Sequence, residues 1–138
     1  MSEDAKRGPF GRPATIIREA HFPGRAPVDA YGNGGFRFAD MSHRGSILCL
    51  PSGIHGWDVD SAEGMQSEAF EKVLIEAEGI EVLLVGTGAN LVPLPKELRA
   101  KLNEKGVSVD PMSTGAAVRT FNVLLSEGRS VAAALIAV

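Results

Sequence analysis

The stretch Glu81-Val82-Leu83-Leu84-Val85-Gly86-Thr87-Gly88 decides the fold. Its apolar run has no polar residue at either parity, so it reads as a strand covered on both faces, as in the interior of an α/β sheet. Upstream, Phe70, Val73, Leu74 and Ala77 recur at helical spacing with glutamates between them, and Gly79 closes that helix. Downstream, Pro95 suits a first helical position, Leu98 and Leu102 share a face, and Gly106 ends the element. Val107-Ser108-Val109 alternates as a short strand. Ser113 or Thr114 caps the next helix, whose inner face is Ala117, Phe121, Leu124 and Leu125, and Gly128 stops it. Ser130–Ile136 is short, apolar and follows a helix stop, so it reads as the last strand, with a terminal helix as the alternative.

The front of the chain changes period. Val28–Tyr31 and Gly35–Ala39 flank Gly32-Asn33-Gly34-Gly35, a hairpin join of the Asn-Gly type. A turn is expected over Asp40–Gly45, and Ser46–Leu50, closed by Pro51, reads as a second fully buried strand. The order is β-β-β-α-β-α-β-α-β. It predicts a single three-layer α/β domain over residues 15–138. Its central sheet is mixed and mostly parallel, with helices and an added N-terminal antiparallel β-meander. Residues 1–14, polar and broken by Gly8, Pro9, Gly11 and Pro13, are expected to be a disordered tail.

With 138 residues, 14 Lys+Arg against 17 Asp+Glu and a net charge of −3, the chain lacks the basic excess of a nucleic-acid binder. Its single cysteine excludes an internal disulfide and suggests a reducing compartment. No apolar run approaches the roughly 20 residues of a membrane-spanning helix. The N-terminus resembles neither a signal peptide nor an organelle presequence, so a cytoplasmic location is expected. The acids from Asp58 to Glu81, opposed only by Lys72, form either a solvated face or a docking surface for a basic partner. Trp57, Glu68 and Glu71 are the candidate contact residues there.

Two places carry candidate chemistry. Gly86-Thr87-Gly88 follows a parallel strand, where open α/β sheets bind ligands and backbone N–H groups form anion nests. It lacks the third glycine of a dinucleotide fingerprint and the Lys-Ser/Thr of a phosphate loop. Ser113-Thr114-Gly115 opens a helix, where the dipole favours anions. The two can share a crevice, with Arg119 and Asn122 at its wall, or can be a tight turn and a simple cap. Trp57 follows Ile54-His55-Gly56 in what reads as a glycine-rich loop, and is either a plug on the core edge or a binding platform. Cys49 reads as a buried inert thiol, and His21, His43 and His55 lack the spacing of a zinc site. Ser52 and Ser67 lack the context of a nucleophile elbow. No catalytic set, metal site or cofactor is assigned.

Taken in order, several pieces form a pattern. They are Gly34-x-Phe36, Gly45-Ser46-x-Leu48-x-Leu50-Pro51, Trp57, Val82–Gly88, Gly106-Val107-x-Val109, Met112-x-Thr114-x-x-Ala117, Arg119–Leu124 and Glu127-Gly128-Arg129-x-Val131-x-x-Ala134-Leu135-Ile136. This set resembles the small Mth-type family of unknown function (498/598), which contains mitochondrial complex I assembly factor 3 and the adipogenesis-associated Mth-type domain protein. The resemblance spans about residues 15–137. It implies a three-layer α/β fold and no established catalysis. It also implies protein partners such as respiratory-complex subunits or assembly factors, with at most peripheral membrane contact. A short bacterial member is expected in the cytoplasm. Ser113 stands where many members are expected to carry Asp, which puts an acid-based role there in doubt. The expected function is a non-enzymatic accessory protein. The alternative is a small-molecule or anion-binding protein using the Gly86–Gly88 and Ser113–Gly115 crevice. Homo-oligomerisation is left open.

Overall fold

A computed structural model describes residues 21–138. The tail expected over residues 1–14 and the domain start at residue 15 lie outside that range. The central sheet has six strands: β1 (His21–Pro23), β5 (Ser46–Leu50), β6 (Gly53–Trp57), β7 (Val82–Gly86), β8 (Ser108–Met112) and β9 (Val131–Leu135). Their spatial order is β1-β6-β5-β9-β7-β8. A separate three-stranded meander contains β2 (Ala30–Gly32), β3 (Gly35–Phe38) and β4 (Met41–Arg44). The helices are α1 (Glu71–Ile75), α2 (Lys96–Glu104) and α3 (Thr114–Ser126).

The apolar runs are the buried strands, as read. In β5, Ile47 and Cys49 face one core while Leu48 and Leu50 face the other. In β9, Val131, Ala133 and Leu135 point one way, and Ala132 and Ala134 the opposite way. Successive strand side chains alternate between faces, so two cores need apolar residues at both parities. One core packs α2, Phe70 and Val73 against the sheet. The other packs Phe121 of α3 and the meander residues Phe36 and Phe38 against the opposite face. The three expected layers follow.

The pairing refines the expectation of a mostly parallel sheet. Parallel register is confined to β9–β7–β8, for example Leu83↔Ala132 and Leu83↔Val109. The pairs β1–β6, β6–β5 and β5–β9 are antiparallel. The crossover rule governs only the βα half of the chain, because the front half joins its strands by hairpins.

Three local readings change. The expected turn over Asp40–Gly45 contains strand β4, registered against β3 from Gly35↔Arg44 to Phe38↔Met41. Its polar side chains conceal an alternation in which His43 is buried between exposed Ser42 and Arg44. The hairpin turn before it passes through Ala39 and Asp40, both at positive φ, with no glycine to mark it. Gly53–Trp57 looked like a glycine-rich loop around Trp57 and is strand β6. Gly53 is required there because its φ is +148° and a Cβ would run into the Phe22 carbonyl of β1. The expected helix over Phe70–Ala77 is α only at Glu71–Ile75, between 3₁₀ turns at Ser67–Phe70 and Ala77–Gly79. No side chain caps it at Phe70; the Glu71 N–H donates instead to the Glu68 carbonyl of the preceding 3₁₀ turn.

Cys49 lies in the middle of β5, and burial pushes its thiol up to about 12. Near neutral pH its thiolate is then about a thousandfold scarcer than that of a cysteine at the ordinary value of 9.0. A thiol-disulfide reagent such as Ellman's should leave the native protein unmodified and titrate one thiol per chain in concentrated urea. Fast labelling of the native chain would contradict this placement.

Candidate functional site

The two segments that sequence reading paired do meet. Gly86 ends β7, Ser113 caps α3 through a bond from the Ala116 N–H (3.4 Å), and the Gly86–Gly88 turn lies against the helix start. The contact is a closed seam. The Thr114 N–H donates to the Gly88 carbonyl at 2.8 Å, and the Gly88 N–H donates back to Thr114 Oγ1 at 3.1 Å. The same hydroxyl donates to the Ile136 carbonyl at 2.7 Å, while the Ile136 N–H donates to the Gly86 carbonyl at 3.0 Å. Thr114 is fully buried.

Thr87 is tied in the same way. Its N–H donates to the Met112 carbonyl (2.8 Å), its hydroxyl donates to the Asn90 carbonyl (2.6 Å), and that hydroxyl accepts the Val92 N–H (3.0 Å). Gly86 has no room for a side chain, since a Cβ would sit 2.9 Å from the Thr114 Cα. A ligand here would have to displace hydrogen bonds that already satisfy the turn and the helix start.

The remaining residues of that group face other ways. Asn122 clamps the chain entering the meander. Its Oδ1 accepts the Val28 N–H at 2.9 Å, and its Nδ2 donates to the Val28 carbonyl at 2.8 Å. This amide supplies the pairing that a neighbouring strand would give. Gly115 lies beneath the Tyr31 hydroxyl, with Arg119 Nη1 close by. Arg119 is exposed. Arg129 meets Glu81 at 3.4 Å, and both are solvent-exposed, so the pair contributes little.

Trp57 is a plug rather than a platform. It is 9% exposed, its indole N–H donates to the Ala69 carbonyl at 2.8 Å, and its ring meets Phe70 edge-on at 5.3 Å. The buried indole has the hydrogen-bond partner it needs. Glu68 and Glu71 are exposed.

Ser52, His55 and Glu76 form a cluster on the β5–β6 turn. Ser52 Oγ donates to Glu76 Oε2 at 2.6 Å and lies 2.9 Å from His55 Nε2, while the Ser52 N–H donates to Glu76 Oε1. The order is opposite to that of a catalytic triad. The serine proton goes to the carboxylate, so the imidazole is not positioned to remove it. The carboxylate instead binds the turn to the end of α1.

A sizeable concavity lies elsewhere. A groove of about 940 Å³ runs from the β4–β5 turn across His55–Trp57 of β6 to the segment ending at Lys72. Its wall includes His43, which is 4% exposed and whose Nδ1 has no hydrogen-bond partner. An unsatisfied buried polar atom costs about 1–3 kcal/mol, so this ring invites an explanation. In the sequence His43 stands as a histidine without zinc-site spacing, and its alternation with Ser42 and Arg44 is the signal for its burial. Among the described residues there is no cluster of three or more metal-ligating side chains and no helix long and apolar enough to cross a membrane.

Residues 28–136 match the family described as a protein of unknown function, DUF498/DUF598. The chain belongs to that family. An uncharacterized protein from Rhodobacter capsulatus is 43% identical over 119 residues, covering 86% of this chain and 90% of its own length. The mouse NADH dehydrogenase [ubiquinone] 1 alpha subcomplex assembly factor 3 is 29% identical over 127 residues, covering 92% of this chain and 69% of that protein. A crystal structure described as an outer membrane protein from Bartonella henselae superposes with a TM-score of 0.82 at 66% identity, covering 85% of this chain and 98% of that one.

Thr114→Val keeps the shape and strands the Gly88 N–H and the Ile136 carbonyl. It should lose about 2–3 kcal/mol in urea denaturation, whereas Thr114→Ser should retain most of the stability. Asn122→Ala should cost a similar amount and remove hydrogen-exchange protection at Val28. Wild-type stability in Thr114→Val would refute the seam.

Proposed function

We propose that this chain is a non-enzymatic accessory protein that works by docking on protein partners, in the manner of a respiratory complex I assembly factor. The likeness to the mouse assembly factor along 92% of this chain carries the reading. The structure is consistent with it, because the hydroxyls of Thr87 and Thr114 are spent on internal bonds and the Ser52 proton is held by a carboxylate. The contacts run through exposed Glu68 and Glu71 and through the Arg119 side of α3. The partners are respiratory-complex subunits or assembly factors, and any membrane contact is peripheral. The location is cytoplasmic.

A strain lacking the protein should accumulate complex I subassemblies on native gels and lose NADH-driven respiration. The tagged protein should co-isolate with early subunits, and fractionation should leave it with the cytoplasmic proteins. Normal complex I assembly together with no co-isolated subunit would overturn the proposal.

A further inference from the structure

We infer that the groove beside His43 docks a lysine- or arginine-bearing segment of a protein partner. The inference rests on the accessory-protein reading and adds the surface used and the partner's chemistry.

Three observations converge on this groove. The first is size. A volume of about 940 Å³ lies at the upper end of the range of about 300–1,000 Å³ typical of ligand sites. It has room for several side chains of a peptide.

The second is charge. Asp58, Asp60, Glu68 and Glu71 line the groove, all are exposed, and among the described residues none is held in an ion pair. Arg44 and Lys72 are the cations lining the same groove. The carboxylates outnumber them, so the field inside favours a cationic guest. The carboxylates keep their acceptors free for it.

The third is His43. A buried ring nitrogen without a partner is uncommon in a folded protein, and His43 Nδ1 is one. The ring forms part of the wall of this groove and of a second hollow of about 380 Å³ on the meander. A Cβ at Gly45, another wall residue, would lie 3.9 Å from its Nε2, so that edge of the ring faces the β4–β5 turn. A neutral imidazole brings one donor and one acceptor. At that edge Nε2 can accept from an ammonium or a peptide N–H or, in the other tautomer, donate to a peptide carbonyl, while the unpartnered Nδ1 lies buried behind it. The acids supply attraction, and the histidine supplies a geometric requirement that a merely acidic surface would lack.

The test uses the full chain, isotope-labelled, titrated with a capped nine-residue peptide of alternating lysine and valine. A glutamate-for-lysine peptide is the control. Amide shifts are expected at His43–Ser46, at residues 56–60 and at residues 68–72, with the lysine peptide only. A Glu68→Lys/Glu71→Lys double variant should bind about tenfold more weakly. His43→Leu, of similar size, should weaken binding severalfold while leaving the melting temperature within a few degrees. Should His43→Leu misfold, the surface double variant still decides the matter.

Shifts mapping elsewhere, equal binding of the glutamate peptide, or unchanged affinity in both variants would overturn the inference. Cell co-isolation separates the two levels. A double variant that still retains its partners, with no peptide binding by the wild type, removes the groove and leaves the accessory role. A wild type that binds the peptide in the groove but recovers no partner removes the accessory role and leaves the groove.

Discussion

The fold depends on the absence of a side chain at Gly86. Without a Cβ there, the first turn of α3 comes down onto the end of β7, and the Thr114 hydroxyl sits where it can accept from Gly88 and donate to Ile136. One hydroxyl thereby joins the end of one parallel strand, the exit of its neighbour and the start of the helix that covers both. The position of Phe121 in the core and of Asn122 against Val28 follows from that placement of α3. A small displacement at the seam would be transmitted to the meander, because a close-packed interior has no slack to absorb it.

Polar side chains fasten the outer layers as well. Asn122 holds the entry to the meander, and Glu76 holds the β5–β6 turn through both the backbone and the side chain of Ser52. These residue types often appear in binding or catalytic sites. Here their hydrogen-bonding capacity is turned inward, which shifts attention from the sheet's carboxyl edge to the groove beside His43. There, among the described residues, the carboxylates stand outside any ion pair and a buried nitrogen lacks a partner.

The buried strands were legible because a run such as Val82–Val85 is apolar at both parities, and only a doubly covered strand needs that pattern. The helix start at Ser113 was legible from its capping chemistry. The strand β6 was hidden because Gly53 and Gly56 resemble loop residues. Only the close approach of Phe22 explains the first of them, and that contact is long-range. The strand β4 was hidden because its pairing depends on β3 rather than on its own propensity. The proximity of Gly86 to Thr114 was foreseen from topology. Whether their meeting would be open or sealed depended on tenths of an ångström, which no periodicity encodes. The His43 groove needed the third dimension, since residues between 43 and 72 converge on it from three stretches of chain.

The outer strand β8 has a consequence for how the protein behaves in a crowded cell. It forms one end of the sheet, and it carries exposed Asp110 next to Pro111. A strand arriving from another molecule would meet a missing N–H donor beside an unpaired charge, both of which discourage further pairing. The sheet therefore discourages strand-by-strand growth from this side. This edge thereby resists the addition of a strand from another molecule.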